Sequence, residues 1–367
     1  MIKVAIVHDY LHTFGGAEQV LLAITEIYPD ADIYTFIKNL NNFPVSIKER
    51  FDNKNIISSN YSKIPLQKFI SKLLVPFTKQ WFENLDLSGY DIIISDGTIW
   101  SKGVKSDNNQ KHIYYCHTPA RFLYNLPSES EKKKELFFLK PIIKKIEENL
   151  LEWDMKTACN PDVIVANSVN IQNRIQKFWN KQSVVIYPPV NTFNFNKFVK
   201  PQDYYLVVSR LEPYKNVDKV IEVFNLLGWK LKIVGTGSEK VSLKLMANKN
   251  IEFLESVDSQ LLENLYTNSK GLILSAEEED FGITTIEASS VGTPVLALRS
   301  GGFIETIEEG KNGMFYDNNT VESLLEAVKL FDKMEFDREI VRNVVRDKYS
   351  KHVFKTKFQD LVKSLTH

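Results

Sequence analysis

Two carboxylates eight residues apart, Glu279 and Glu287, flank the run Asp280-Phe281-Gly282-Ile283-Thr284. The apolar stretch before them, Gly271-Leu272-Ile273-Leu274, reads as a buried strand, and the spacing after Gly282 reads as a helix. One acid then lies on the loop that leaves the strand, the other about a turn into the helix. In an open α/β sheet, ligands bind beyond the carboxyl ends of the strands, beside helix N-termini that favour anions. Carboxylates in such a place accept hydrogen bonds from sugar or ribose hydroxyls. An acid pair next to an anion site therefore points to a nucleotide-sugar, although an ordinary loop and a solvated helix charge show the same spacing. A second pair is cationic. Arg210 and Lys215 flank a strand-to-helix loop, where two cations neutralise a diphosphate leaving group or simply face solvent. A third candidate is His117, which follows the strand pattern Ile113-Tyr114-Tyr115-Cys116, and a fourth is the glycine pair Gly15-Gly16 that opens a helix. Paired glycines let backbone N–H groups approach an anion; a plain turn has the same composition.

These residues need elements to hold them. Strand patterns alternate with helical ones at 2–7, 17–28, 32–36, 65–75, 91–95 and 112–116, and Ser183-Val184-Val185-Ile186 reads as the last strand of the first half. Such alternation implies parallel α/β sheets. Pro119 suits a first helical turn and Ser168 a helix N-cap. Residues 129–156 read as a long charged helix that Pro141 should kink or split. Pro188-Pro189 stiffens a crossing into a second α/β domain that starts at Tyr204-Tyr205-Leu206-Val207-Val208. The tail places Phe354, Phe358, Leu361 and Leu365 on one helical face. The expected domains are 1–187, joined by a terminal helix over 350–367, and 188–349.

Composition removes several classes. Lys+Arg 46 against Asp+Glu 46 leaves no net charge to attract nucleic acid. Cys116 and Cys159 cannot form a disulfide framework and suit a reduced, cytoplasmic compartment. No apolar run reaches the ~18–20 residues of a membrane span, and Ile2-Lys3-Val4-Ala5-Ile6-Val7 reads as a first strand, not a cleavable leader. His8 and His12 have a zinc spacing only if they share a helix; they flank a strand end and a loop, so no metal site is expected. Asp30-Ala31-Asp32 lies between a helix end and a strand and reads as turn chemistry. Gly235-Thr236-Gly237 follows a strand, but a dinucleotide fingerprint wants a third glycine where Lys240 stands. That argues against an NAD-dependent dehydrogenase. Leu66, Phe69, Ile70, Leu73 and Leu74 share a helical face with Lys68 and Lys72 opposite, before Pro76. That helix either faces the core or lies on an anionic membrane surface.

Residues 275–313 resemble the signature of glycosyltransferase family 4, the group 1 retaining transferases of GT-B fold. The elements in order are Glu279 and Glu287, Phe281-Gly282, Gly292-Thr293-Pro294-Val295, Gly301-Gly302 and Glu305-Thr306. The Arg210-x4-Lys215 spacing is similar to the same family's, and His117-Thr118-Pro119-Ala120-Arg121 resembles members that build bacterial surface polysaccharides, such as mannosyltransferases. The resemblance implies two Rossmann-like domains facing across a cleft and transfer of a hexose from a nucleotide-diphospho-sugar, UDP- or GDP-linked with GDP-mannose preferred. It implies a lipid-linked or polysaccharide acceptor, a place in the cytoplasm or peripherally on the inner face of the plasma membrane, and no cofactor or metal. It places Glu279 on the donor sugar hydroxyls, Glu287 on the ribose, Gly15 and Gly16 at the diphosphate, and His117 near the reacting carbon. Phe281, Gly282, Ile283, Thr284, Gly235 and Val257 fall on the donor side, and Arg121 meets the acceptor or its phosphate. Where the family often has glycine beside the base, this chain has Glu255, which leaves the choice of base open.

Overall fold

The computed structural model describes residues 2–63, 75–127, 140–190, 192–196 and 199–366. They form two compact units. The first takes in the residues up to Tyr124, the stretch ending at Pro189 and the terminal segment from Lys351; the second is built on Val190–Ser350.

The first unit carries a sheet of β1 (Val4–Leu11), β2 (Asp32–Lys38), β3 (Ile56–Ser58), β4 (Ile92–Gly97), β5 (Lys111–Cys116), β6 (Val163–Ala166) and β7 (Val184–Val185), in the order β3-β2-β1-β4-β5-β6-β7. The pairs are parallel. A parallel sheet is covered on both faces, so its strands are apolar on both. Val4 and Ile6 enter one core with helix Gly16–Ile27 and the terminal helix Lys351–Thr366, which contributes Phe354, Phe358 and Val362. Ala5 and Val7 enter the opposite core with Phe82, Leu150 and Trp153.

The second unit repeats the plan with β8 (Tyr205–Val208), β9 (Leu231–Val234), β10 (Ile251–Leu254), β11 (Leu272–Leu274), β12 (Val295–Leu298) and β13 (Gly313–Tyr316), in the order β10-β9-β8-β11-β12-β13. Tyr205 and Val207 point into one core and Leu206 into the other. In each sheet the chain winds outward to one side of its first strand, then returns to wind the other way. The reversals fall between β1 and β4 and between β8 and β11. The loops leaving strands on either side of such a reversal diverge and open a crevice.

Three local expectations change. The first strand does not end at Val7 but runs to Leu11, with Tyr10 and Leu11 opposite Ile37 and Lys38 of β2. His8 and Asp9 look like loop residues by type, yet both are buried, because each has partners described below. Pro119 lies ahead of a short 3₁₀ turn, Arg121–Leu123, rather than in the first turn of an α-helix. Pro141 stands at the start of the described helix Lys140–Thr157, not inside a longer one, and residues 128–139 lie outside the described residues. So does the amphipathic stretch 64–74; Pro76 is the second residue of the described helix Val75–Glu83. Ser168 does cap its helix, its Oγ accepting from Ile171 N at 3.1 Å.

Candidate functional site

In the second unit, the two loops at the reversal carry the residues singled out above. After β8 the chain runs through exposed Arg210 and into a 3₁₀ turn, Pro213–Lys215. Asn216, left-handed at φ 50°, then lets helix Val217–Leu227 start in a new direction. The Arg210 guanidinium donates to Tyr214 Oη at 2.6 Å. Lys215 Nζ lies 4.9 Å from the centre of the same ring and donates to Glu279 Oε2 at 2.5 Å. Burial opposes the charge on Lys215, but Glu279 outweighs it and raises its pKa, so the site holds a fixed cation. Its side chain remains 13% exposed and that of Glu279 18%. This loop sits close to the next one: a Cβ on Gly235, whose φ is 146°, would lie 1.9 Å from Ser209 O. Only glycine lets the two backbones meet there.

Glu279 belongs to the loop between β11 and helix Ile283–Ser290. That loop rests on Gly301-Gly302. Gly302 N donates to Glu279 O at 2.7 Å, and Ser300 Oγ accepts from Glu278 N at 2.9 Å. Glu278 itself is left-handed, φ 54°, a conformation bulky residues adopt only when neighbours enforce it. Phe281 is buried with its ring 5.6 Å from that of Tyr349, Gly282 begins the helix at φ 91°, and half-buried Ile283 and Thr284 form its first turn. The unpaired N–H groups of that turn favour an anion. Glu287, deeper in the helix, is buried and accepts from Tyr266 Oη at 2.9 Å. Burial pushes its pKa from 4.5 to about 7, and the tyrosine bond only partly offsets this. Val257 is half-buried against the core face shared by Leu206 and Leu274. Glu255 is exposed and ion-paired with Lys240 and, at 3.8 Å, with Lys244.

In the first unit, His117 follows β5 and Gly15-Gly16 open helix Gly16–Ile27. Asp96, fully buried at the end of β4, joins two histidines: His8 Nδ1 donates to its Oδ2 at 2.8 Å and His117 Nε2 to its Oδ1 at 2.5 Å. Glu18 takes Gly15 N at 2.8 Å with one carboxylate oxygen and lies 3.6 Å from His8 Nε2 with the other. Arg121 is half-buried on the 3₁₀ turn after β5. So the structure gathers Arg210, Lys215 and Glu279 in one unit and links Gly15 to His117 in the other. Sequence spacing missed Tyr214, Tyr266, Asp96 and Glu18. Tyr214 alone had a signal, lying inside the Arg210-x4-Lys215 pattern.

The two parallel-sheet units have GT-B architecture. Residues 191–350 match the family model of glycosyl transferases group 1. An alpha-1,3/1,6-mannosyltransferase ALG2 of Dictyostelium discoideum is 26% identical over 333 residues, which cover 75% of this chain and 76% of that one. Two uncharacterized glycosyltransferases of Methanocaldococcus jannaschii are matched over 54% and 44% of their own length, at 25% and 29% identity and over 50% and 43% of this chain. Among solved structures, a sucrose-phosphate synthase from Thermosynechococcus elongatus superposes with a TM-score of 0.74 at 14% identity over 99% of both chains. HepE from Anabaena, in complex with UDP and glucose, does so with 0.69 at 16% identity over 99% of this chain and 100% of that one. These likenesses establish the GT-B fold.

Proposed function

We propose that this chain is a retaining, metal-independent hexosyltransferase that takes its sugar from a nucleotide-diphospho-sugar. The observation that carries this is the cluster Arg210–Tyr214–Lys215–Glu279 at the strand reversal of the second unit. A cation already paired with an acid is poised for exchange. The incoming diphosphate takes over Lys215, joined by Arg210, and frees Glu279 to accept from the sugar hydroxyls. As the bond from the anomeric carbon to phosphate breaks, negative charge grows on the diphosphate where the cations wait. They supply the positive charge that a metal ion supplies in other transferases. Glu287 holds the ribose, its carboxylate ionising near neutrality. Gly235, Phe281, Gly282, Ile283, Thr284 and Val257 complete the donor side; His117 is proposed for the sugar, and Gly15 and Gly16 for the diphosphate. Arg121 meets the acceptor, proposed to be a lipid-linked glycan at the inner face of a membrane; among the described residues no helix is long and apolar enough to cross one.

The donor is proposed as a GDP- or UDP-hexose. The mannosyltransferase relative favours GDP-mannose, and the UDP-bound neighbour favours a uridine donor. The test is nucleoside diphosphate release from a panel of nucleotide-sugars with EDTA present. Wild type releases diphosphate, Lys215→Ala releases it about 10²–10³-fold more slowly, and the product keeps the donor's anomeric configuration. An absolute need for added metal, or a Lys215→Ala variant with full turnover, rules out the assignment.

A further inference from the structure

Helix Ile283–Ser290 offers its first turn to the proposed donor site, and its last turn carries the chain that arrives from the first unit. That chain leaves the first unit at Pro189 and enters the second at Val190, whose N donates to Tyr349 O at 3.1 Å. Residues 192–196 then alternate: Phe193 and Phe195 are half-buried, and Thr192, Asn194 and Asn196 are exposed. An extended segment of that pattern lays one side on the protein. Phe195 faces the Arg342 guanidinium, 5.0 Å from its ring centre, and a Cβ on Gly292, just past the helix, would lie 2.9 Å from the same ring. Phe193 meets the helix itself. Its N–H donates to Ser290 Oγ at 3.1 Å, and that hydroxyl donates to Glu287 O at 2.7 Å. Its ring lies 5.9 Å from that of Tyr266, tilted by 38°, and Tyr266 Oη donates to Glu287 Oε2 at 2.9 Å. Glu287 is thus held at both ends, carbonyl and carboxylate, through two partners that touch one linker residue.

The two routes differ in what they fix. Serines in helices commonly bond back to a carbonyl one turn earlier; here the same hydroxyl also accepts from Phe193, which ties the last turn to the linker. On the other route the backbone of Tyr266 is pinned, since its carbonyl accepts from Thr293 Oγ1 at 2.7 Å and Ser269 Oγ at 3.0 Å. The freedom left to Tyr266 is that of its ring, and the Phe193 ring packs against it. A carboxylate that is to receive ribose hydroxyls binds best when its orientation is set beforehand by the groups around it. We propose that Phe193 is a positioning residue for Glu287: by seating on Tyr266 and Ser290, the linker aims this carboxylate at the ribose hydroxyls and so sets the preference of the site for ribose over deoxyribose. Phe193 acts through its two neighbours and does not itself touch the nucleotide. The segment that crosses between the units therefore contributes to donor selection.

The role of Phe193 rests on the reading of Glu287 as the ribose contact, so one arm of the test uses no nucleotide. In urea unfolding at pH 8, Phe193→Leu and Tyr266→Phe form a cycle with their double variant. If Phe193 aims the Tyr266 hydroxyl, the unfolding constant of the double variant should differ from the product of the single effects by about threefold or more. Effects that simply multiply overturn the proposal. In the second arm, calorimetry at pH 8 titrates UDP, GDP and their 2′-deoxy forms into the full chain. Wild type should bind the ribo form of whichever base it takes about tenfold or more tighter than the deoxy form, and Glu287→Gln should cut that preference. Phe193→Ala should reduce it to about threefold or less while the deoxy form binds within about twofold of wild type. Ser290→Ala should move the preference the same way by less, and Phe193→Tyr, which keeps the ring and the N–H, should retain it. Phe193→Leu and Ser290→Ala carry the second arm if Phe193→Ala does not fold. Equal weakening of the ribo and deoxy forms means that Phe193 only anchors the linker, and overturns the proposal. A wild type that treats ribose and deoxyribose alike overturns the reading of Glu287 and the ribose preference with it, while the unfolding cycle still decides whether Phe193 aims Tyr266.

Discussion

The two strand reversals share one topology and treat charge in opposite ways. At the β1/β4 reversal the charges are sealed. Asp9 accepts from the backbone N–H groups of Thr98, Ile99, Trp100 and Ser101 at 2.7–3.1 Å, which shapes the loop after β4. Lys102, in that same loop, is fully buried against Asp154 and donates to Ile99 O at 2.8 Å, with the rings of Trp179, Trp153 and Tyr114 5.1–5.9 Å away. Asp154 Oδ2 also accepts from Tyr124 Oη and Trp179 Nε1. At the β8/β11 reversal Arg210 is exposed, and Lys215 and Glu279 remain partly open to solvent. A charge sealed among protein partners fixes a loop's shape; a charge left partly open at the surface is within reach of a ligand. The difference separates scaffold from binding site more clearly than residue type does, since both places use lysine and acid.

Breaking a sealed pair should have the largest effect. Asp154→Ala leaves the Lys102 cation buried with its acid gone, a change that costs about 3–5 kcal/mol in comparable settings. Urea unfolding measures it. A loss well under 1 kcal/mol would mean that the first unit tolerates an open charge as the second does, and the contrast would fail. The counterpart, Lys215→Ala, should spare the fold and act on turnover by the factor given above. Circular dichroism and diphosphate release on the same sample separate the two effects.

What the sequence made legible follows the same division. In the second unit Arg210 and Lys215 share one strand–loop–helix segment and Glu279 and Glu287 another, so each pair could be singled out by local pattern. In the first unit Asp96 is 88 residues from His8 and 21 from His117. Only the strand order brings them together, and no spacing rule encodes that. The polar pair His8-Asp9 moreover reads as falling past the end of the first strand, because alternation of types says nothing about a buried polar residue whose partners come from elsewhere. Helix and strand identities in both units were visible for the ordinary reason that their apolar periods are strong, as with Phe354 and Phe358 of the terminal helix. Arg121–Leu123 shows the limit: proline chemistry marked a turn there and could not distinguish its type.

Glu287 sharpens the contrast from inside the second unit, since it is the buried member of that site. Its folded pKa, about 7, lies above the 4.5 of an unperturbed glutamate. Between those values the native state binds the proton and the unfolded chain does not, so stability falls as pH rises from about 4.5 to about 7 and stays lower above. Glu287→Gln keeps the tyrosine bond and removes the ionisation. At pH 8 the variant should therefore be more stable than wild type by on the order of 3 kcal/mol, and at pH 4 nearly equal to it, while donor binding weakens. Equal stability differences at both pH values would show that the Glu287 carboxylate is not desolvated and that the contrast does not extend to it.

The smallest expected effect concerns placement rather than charge. Arg210 reaches its position because Gly235 allows the loop after β9 to pass under Ser209. An alanine methyl there would sit 1.9 Å from Ser209 O, and a φ of 146° is one that residues with a Cβ rarely adopt. The clash must displace Ser209–Leu211, yet the displacement is limited: Ser209 N donates to Val234 O and Leu211 N to Thr236 O, both on or beside β9. Gly235→Ala should thus weaken donor binding by about tenfold, or ~1.4 kcal/mol, read as a reduced thermal shift with UDP- and GDP-sugars. Gly228→Ala is the control. Gly228 also has positive φ, 67°, but ends a helix with nothing within 4 Å of a new methyl. It should lose about 1 kcal/mol of stability and keep its donor shift. If both variants lose the shift equally, backbone strain alone explains the result, and the position of Arg210 does not depend on the contact between these two loops.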